Sequence, residues 1–188
     1  MTMFEQLQAF TPFNEQEASD RRLMLQYAGL FSDLLTRDNE MAHLTASCWI
    51  VNPDKTKVLL AYHNIYDSWA WLGGHADGET DLLAVALREV KEETDADASI
   101  IKYVGKSQYT FNTQEDTVVK DVHWYLMMGE SYHSKPQREE FFVDSGFYKY
   151  HEAVHLLKFS NEKQILEKAY SEYLDLKKSN LWGNRKYF

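Results

Sequence analysis

Residues 73–96 read GGHADGETDLLAVALREVKEETDA, and no other stretch constrains the fold as much. Leu83, Ala86, Leu87 and Val90 recur at helical spacing, so a helix over residues 81–94 has one apolar face to bury. Glu89, Glu92 and Glu93 follow the same spacing on another face. Like charges so placed repel on an exposed helix by about a few tenths of a kcal/mol per pair. A hard divalent cation reverses that balance, because Mg²⁺ and Mn²⁺ prefer oxygen ligands. A solvated acidic face relieved by Arg88 and Lys91 has the same pattern, so the triplet alone leaves both readings open. Ahead of the helix, Gly73-Gly74 allows the close backbone approach that a phosphate or a metal requires.

The segments around this helix predict strands. Residues 43–52 and 57–63 are rich in β-favouring side chains and flank Asn52-Pro53-Asp54, the pattern of a hairpin. Strands are expected at 99–104, 107–112 and 117–128, with Val118, Val122, Trp124, Leu126 and Met128 on one face and Lys120 interrupting it. Another strand is expected within 141–150. Leu23, Tyr27, Leu30, Phe31, Leu34 and Leu35 predict a helix over 15–36, opened by Asn14 and Glu17. Ile165, Leu166, Ala169, Tyr170, Tyr173 and Leu174 predict a closing helix after Ser160-Asn161. Helices and strands in this order give one mixed α/β domain with helices packed on a central sheet.

Composition narrows the function. Twenty-nine acidic residues against 20 basic ones give a formal net charge of -9, which repels polyanions and argues against a nucleic-acid polymer or an anionic membrane as partner. An anionic small substrate then needs a positive escort, for which a divalent metal is the natural choice. The longest apolar run, residues 82–87, is far short of the roughly 20 residues of a membrane span. With a single cysteine, Cys48, and no signal-peptide pattern, the expected setting is cytoplasmic.

The central segment resembles the Nudix box, G-x5-E-x7-R-E-U-x-E-E-x-G-U, where U is bulky and apolar. Gly74 takes the first glycine, and Arg88-Glu89-Val90-Lys91-Glu92-Glu93 match R-E-U-x-E-E in register. Thr80 stands in place of the first glutamate, Asp95 in place of the last glycine, and Ala96 at the final apolar position. The resemblance implies a Nudix-like α/β/α sandwich, a mixed central sheet flanked by helices. It divides residues 1–188 into an N-terminal helical extension (1–42), a core (43–160), and a C-terminal helix and tail (161–188). It further implies a pyrophosphohydrolase cleaving a diphosphate linkage in a nucleoside diphosphate joined to another group. Glu89, Glu92 and Glu93 would hold Mg²⁺ or Mn²⁺. Arg88 would complete the catalytic set, and Gly73, Gly74, His75 and Trp71 would contact substrate. The missing glutamate at Thr80 would deprive Arg88 of a partner unless Glu79 or Asp77 replaces it, and Asp95 would have to end the helix in a left-handed conformation. A catalytically inactive ligand-binding module and an isomerase using Cys48 are the alternatives on the same fold.

Other features compete for attention. His151-Glu152-Ala153-Val154-His155 spells the zinc-protease pattern but lacks a long amphipathic helix around it. Glu139 and Glu140 are candidates for a general base outside the box. His63, His123, Trp69 and Cys48 read more simply as packing residues. Substrate choice is expected to reside in residues 62–72 and 129–140. The extra N-terminal helix and the aromatic tail (Leu181, Trp182, Tyr187, Phe188) offer a surface for a homodimer contact.

Overall fold

The computed structural model describes residues 3–12, 15–39, 42–112 and 117–178. In chain order these form α1 (Met3–Ala9), α2 (Glu15–Leu30), β1 (Ala42–Val51), β2 (Val58–His63), β3 (Ser68–Ala70), β4 (Leu72–His75), α3 (Leu82–Thr94), β5 (Ala98–Asn112), β6 (Thr117–Gly129), β7 (Phe142–Tyr148), α4 (Tyr150–Leu156) and α5 (Ser160–Lys178). The strands are ordered β3-β2-β1-β6-β5, with β4 beside β1 and β7 beside β2. The pair β1–β6 is parallel over its whole length and the remaining pairs are antiparallel, so the sheet is mixed, as expected.

Strand alternation divides the core between the two sheet faces. Leu44, Ala46, Cys48 and Ile50 of β1 and Tyr125 and Met127 of β6 pack with α2 and with Leu82, Val85, Ala86 and Val90 of α3. Trp49 of β1 and Val122, Trp124 and Leu126 of β6 point the other way, onto α4 and onto Ile165, Leu166, Ala169 and Tyr173 of α5. Burying large apolar side chains on both faces, at about 1.5–3 kcal/mol each, is what holds the helices on the sheet. The face predicted for Val122, Trp124 and Leu126 is the observed one, while the Val118 and Lys120 side chains lie outside the described residues.

Three expectations change. The helix from residue 15 ends at Leu30 rather than 36. Asp33 and Asn39 supply the chain with other hydrogen bonds: Thr36 N–H donates to the Asp33 carbonyl, Asn39 Nδ2 to Asp33 Oδ1, and Ala42 N–H to Asn39 Oδ1. The strands expected at 99–104 and 107–112 are one strand, β5, which absorbs irregularities between Ile100 and Lys102 and between Tyr103 and Gly105. Gly105, at φ 140°, sits at the second bulge. The predicted hairpin is a single pair, Val51 with Val58, its turn closed by Asn52 Oδ1 accepting Thr56 and Lys57 N–H. Beyond that pair β1 leaves β2 and takes β4 as its neighbour. Helix α1 lies outside the sequence reading. The predicted helix opening at Asn14 and the tail residues Leu181, Trp182, Tyr187 and Phe188 lie outside the described residues.

Candidate active site

Strand β4 carries the site because it runs between β1 and α3. Ser47 pairs with Gly73 and Ala46 with Gly74. A Cβ on Gly73, at φ 149°, would lie 2.4 Å from the Ala46 carbonyl oxygen, and one on Gly74 would lie 2.2 Å from Glu89 Oε2. Both glycines are therefore required by packing: one lets β4 meet β1, the other lets a glutamate of α3 rest directly on the strand.

Helix α3 is set by its ends. Asp81 is the N-cap, its Oδ1 accepting Leu83 and Ala84 N–H at 3.0 and 3.3 Å. Thr80 does not cap; its hydroxyl and the Asp81 N–H both reach Glu79 Oε1. At the other end Asp95 adopts the left-handed conformation (φ 50°, ψ 19°) that the absent glycine would take, and its N–H donates to the Lys91 carbonyl.

The three glutamates occupy distinct environments along one stretch of helix. Glu93 is buried and its Oε2 accepts the Gly73 N–H at 2.9 Å. Glu89 is half-buried against Gly74, and burial pushes its carboxyl above the usual range even though Arg88 opposes the shift. Glu92 is exposed. Arg88 joins them: Nη2 lies 2.7 Å from Glu89 Oε1 and donates to the His75 carbonyl at 2.9 Å, while Nε lies 3.6 Å from Glu92 Oε2. Neither Glu79 nor Asp77 replaces the missing box glutamate by direct contact. Asp77 instead receives both arms of Arg37, at 2.8 Å each, and that guanidinium holds its carboxyl below the ordinary range.

The chemistry of this donor set, three hard carboxylates with one held in a desolvated position, suits Mg²⁺ or Mn²⁺. In the present arrangement the Arg88 guanidinium stands between Glu89 and Glu92. No group of three or more His, Cys, Asp or Glu among the described residues is already gathered as a metal cage. A cation shared by all three carboxylates would need Glu92 to turn from Arg88.

The remaining candidates differ in how they stand to this cluster. His75 follows Gly74 on β4, its ring 5.0 Å from that of His43. Trp71 lies toward the opposite sheet face, its ring 4.8 Å from Trp124 and its Nε1 donating to Ser47 Oγ at 3.1 Å. Trp69 packs on Tyr62 and Tyr148. Cys48 is buried, and desolvation together with Glu93 and Glu89 pushes its thiol well up, which removes it as a thiolate nucleophile. His151 and His155 lie on the seven-residue α4, where Glu152 accepts the Lys149 N–H as an N-terminal cap, and no third ligand joins them among the described residues. Glu139 is exposed on a short 3₁₀ turn, and the Glu140 side chain lies outside the described residues. Sequence reasoning missed Arg37, and also the docking of the 129–140 loop on the end of α3 through Lys135 N–H to the Thr94 carbonyl and Gln137 N–H to the Glu93 carbonyl. Main-chain bonds of that kind leave no trace in residue type.

The family model of the NUDIX domain matches residues 41–169. Among solved structures, a C. elegans Ap4A hydrolase is similar at 17% identity, covering 70% of this chain and 97% of its own, with a TM-score of 0.57. An E. coli dihydroneopterin triphosphate pyrophosphohydrolase is similar at 15% identity, 66% and 92% coverage and a TM-score of 0.54. A NUDIX-family hydrolase from Clostridium perfringens gives 22% identity, 71% and 97% coverage and a TM-score of 0.52. At such identities these structures share the fold.

Proposed function

The chain belongs to the Nudix family of hydrolases, and from that premise we propose that it is a metal-dependent enzyme cleaving the diphosphate linkage of a small nucleotide-like substrate. The observation that carries the proposal is the packing of the Glu89 and Glu93 carboxylates directly against the backbone of Gly74 and Gly73. Two acids held there by geometry, and a third one turn away, are costly for stability alone and suited to a cation. Glu89, Glu92 and Glu93 would hold Mg²⁺ or Mn²⁺, which when bound offsets phosphate charge and makes water more acidic.

The protein's own part is positioning. Glu93 is tied to the strand, Glu89 sits on Gly74, and Arg88 fixes the β4 carbonyl at His75. One of these glutamates, or a carboxylate from the loops after residue 112, would take the proton of an attacking water. Two neighbours are named for phosphoanhydride substrates, Ap4A and dihydroneopterin triphosphate, which supports the same substrate class here. The ion pairing of Arg88 with Glu89 and Glu92 favours a second reading, a ligand-binding module without turnover.

Incubation with nucleotide sugars, dinucleoside polyphosphates and nucleoside triphosphates in Mg²⁺ or Mn²⁺, followed by chromatography of products, tests the proposal. A monophosphate and a phosphorylated remainder are expected from at least one substrate. Binding without product would establish the second reading.

A further inference from the structure

We propose that residues 31–39, between α2 and β1, form a strap that positions the loop entering α3, with Arg37 as its positioning residue; the catalytic consequence rests on the hydrolase reading above. The strap is built where the expected helix stops. Leu44 N–H donates to the Leu34 carbonyl at 2.8 Å, which starts β1 against it, and Gly78 N–H donates to the Leu35 carbonyl at 2.7 Å. Arg37 then closes a two-armed ion pair on Asp77, Nε to Oδ1 and Nη2 to Oδ2. His43 adds a further contact, its Nδ1 at 3.2 Å from the Asn39 carbonyl and its ring against His75.

The loop needs such support. Asp77 and Gly78 have φ of 47° and 90°, consecutive residues in conformations that are costly for side-chain-bearing residues. The loop's other edge reaches the acidic cluster: Ala76 N–H donates to the Leu44 carbonyl at 3.1 Å, and the His75 carbonyl accepts Arg88 Nη2. A continuous set of contacts therefore runs from Arg37 through Asp77 and the loop backbone to Arg88, and from Arg88 to Glu89 and Glu92. The Arg37–Asp77 pair is solvent-exposed, so its effect on global stability is small. A two-armed guanidinium–carboxylate pair nevertheless fixes orientation as a single-point contact does not.

The test uses the full chain and the diphosphate substrate found active, with Arg37→Ala, Arg37→Lys, Asp77→Asn, the double variant Arg37→Ala/Asp77→Asn, and Arg22→Ala on the exposed side of α2 as control. Hydrogen exchange at the Gly78 amide gives a readout independent of activity. Arg37→Ala is expected to lower kcat by about ten- to a hundredfold with little change in KM, through misplacement of Arg88 and its carboxylates, and to lose Gly78 protection. Arg37→Lys keeps charge but not the fork and should fall between. Asp77→Asn should match Arg37→Ala, and the double variant should be no worse than either. Wild-type kcat together with wild-type Gly78 protection in Arg37→Ala, or additive losses in the double variant, would overturn the strap. If the wild type hydrolyses no diphosphate, the hydrolase reading fails, and Gly78 exchange alone still decides the strap.

Discussion

The Glu93 carboxylate accepts the Gly73 amide hydrogen at 2.9 Å, fastening the acidic face of α3 to the strand that faces it. That contact makes Glu93→Gln an informative change, since the amide oxygen can still accept the hydrogen bond while the charge is lost. The fold should survive and kcat should fall by about 10²–10⁴, the range for loss of a ligand or proton-transfer group. Glu167→Gln, exposed on α5, should leave the rate unchanged. Circular dichroism and steady-state kinetics on both variants check this.

The two glycines of β4 should respond differently to alanine. At Gly74 the added methyl meets the end of the Glu89 side chain, which can move, so activity should be lost at a stability cost of about 1–3 kcal/mol. At Gly73 the obstacles are the Ala46 carbonyl and the Ser47 backbone, and φ is 149°, so Gly73→Ala should be the more destabilised. Urea melts of the two variants rank them directly.

Capping gives a third prediction. Asp81 bears both cap hydrogen bonds of α3, so Asp81→Ala should cost about 0.5–2 kcal/mol while Thr80→Ala stays within about 0.5 kcal/mol. Equal losses at both positions in thermal melts would contradict the cap assignment.

Glu162 supplies a pH dependence. Buried at the start of α5, its carboxyl is pushed up to about 7 by desolvation, against the pull of the Phe159 N–H. An acid whose folded pKa exceeds its unfolded one binds protons preferentially in the folded state. Its contribution is complete below about pH 4.5 and is lost as pH rises through about 7, a change of at most about 3 kcal/mol. Glu162→Gln should flatten stability over that window and melt higher than wild type at pH 8. A wild-type slope in the variant would contradict the assignment.

The sequence revealed the fold where burial sets the pattern. The period-2 run of Val122, Trp124 and Leu126 marks a real face, whereas the buried face of α3 is turned from the expected one: Leu82, Val85, Ala86, Val90 and Glu93 are buried, and Leu83 and Leu87 are half-buried. Within the site, spacing places Glu89, Glu92 and Glu93 on one helix, and the resemblance to the Nudix box singles out Gly74; that Gly73 and Gly74 lie on a strand, β4, depends on their pairing with β1 and was not legible. What stayed hidden depends on long-range partners. Leu30, Phe31, Leu34 and Leu35 keep helical spacing, yet the chain turns after Leu30, because the Leu34 and Leu35 carbonyls find β1 and the loop before α3. Arg37 and Asp77 are 40 residues apart, and neither neighbourhood announces the other. The gap expected between residues 104 and 107 is bridged because the chain stays paired with β6 through a bulge at Gly105.

The central claim is that the carboxylates of α3 hold the metal on which hydrolysis depends. Mn²⁺ titration followed by electron paramagnetic resonance, with turnover of the active diphosphate substrate measured on the same samples, tests it most directly. Wild-type protein stripped by chelator should be inactive and regain turnover in step with Mn²⁺ bound, while Glu89→Gln, Glu92→Gln and Glu93→Gln should each weaken both. Full turnover in excess chelator, or undiminished Mn²⁺ binding in all three variants, would contradict it.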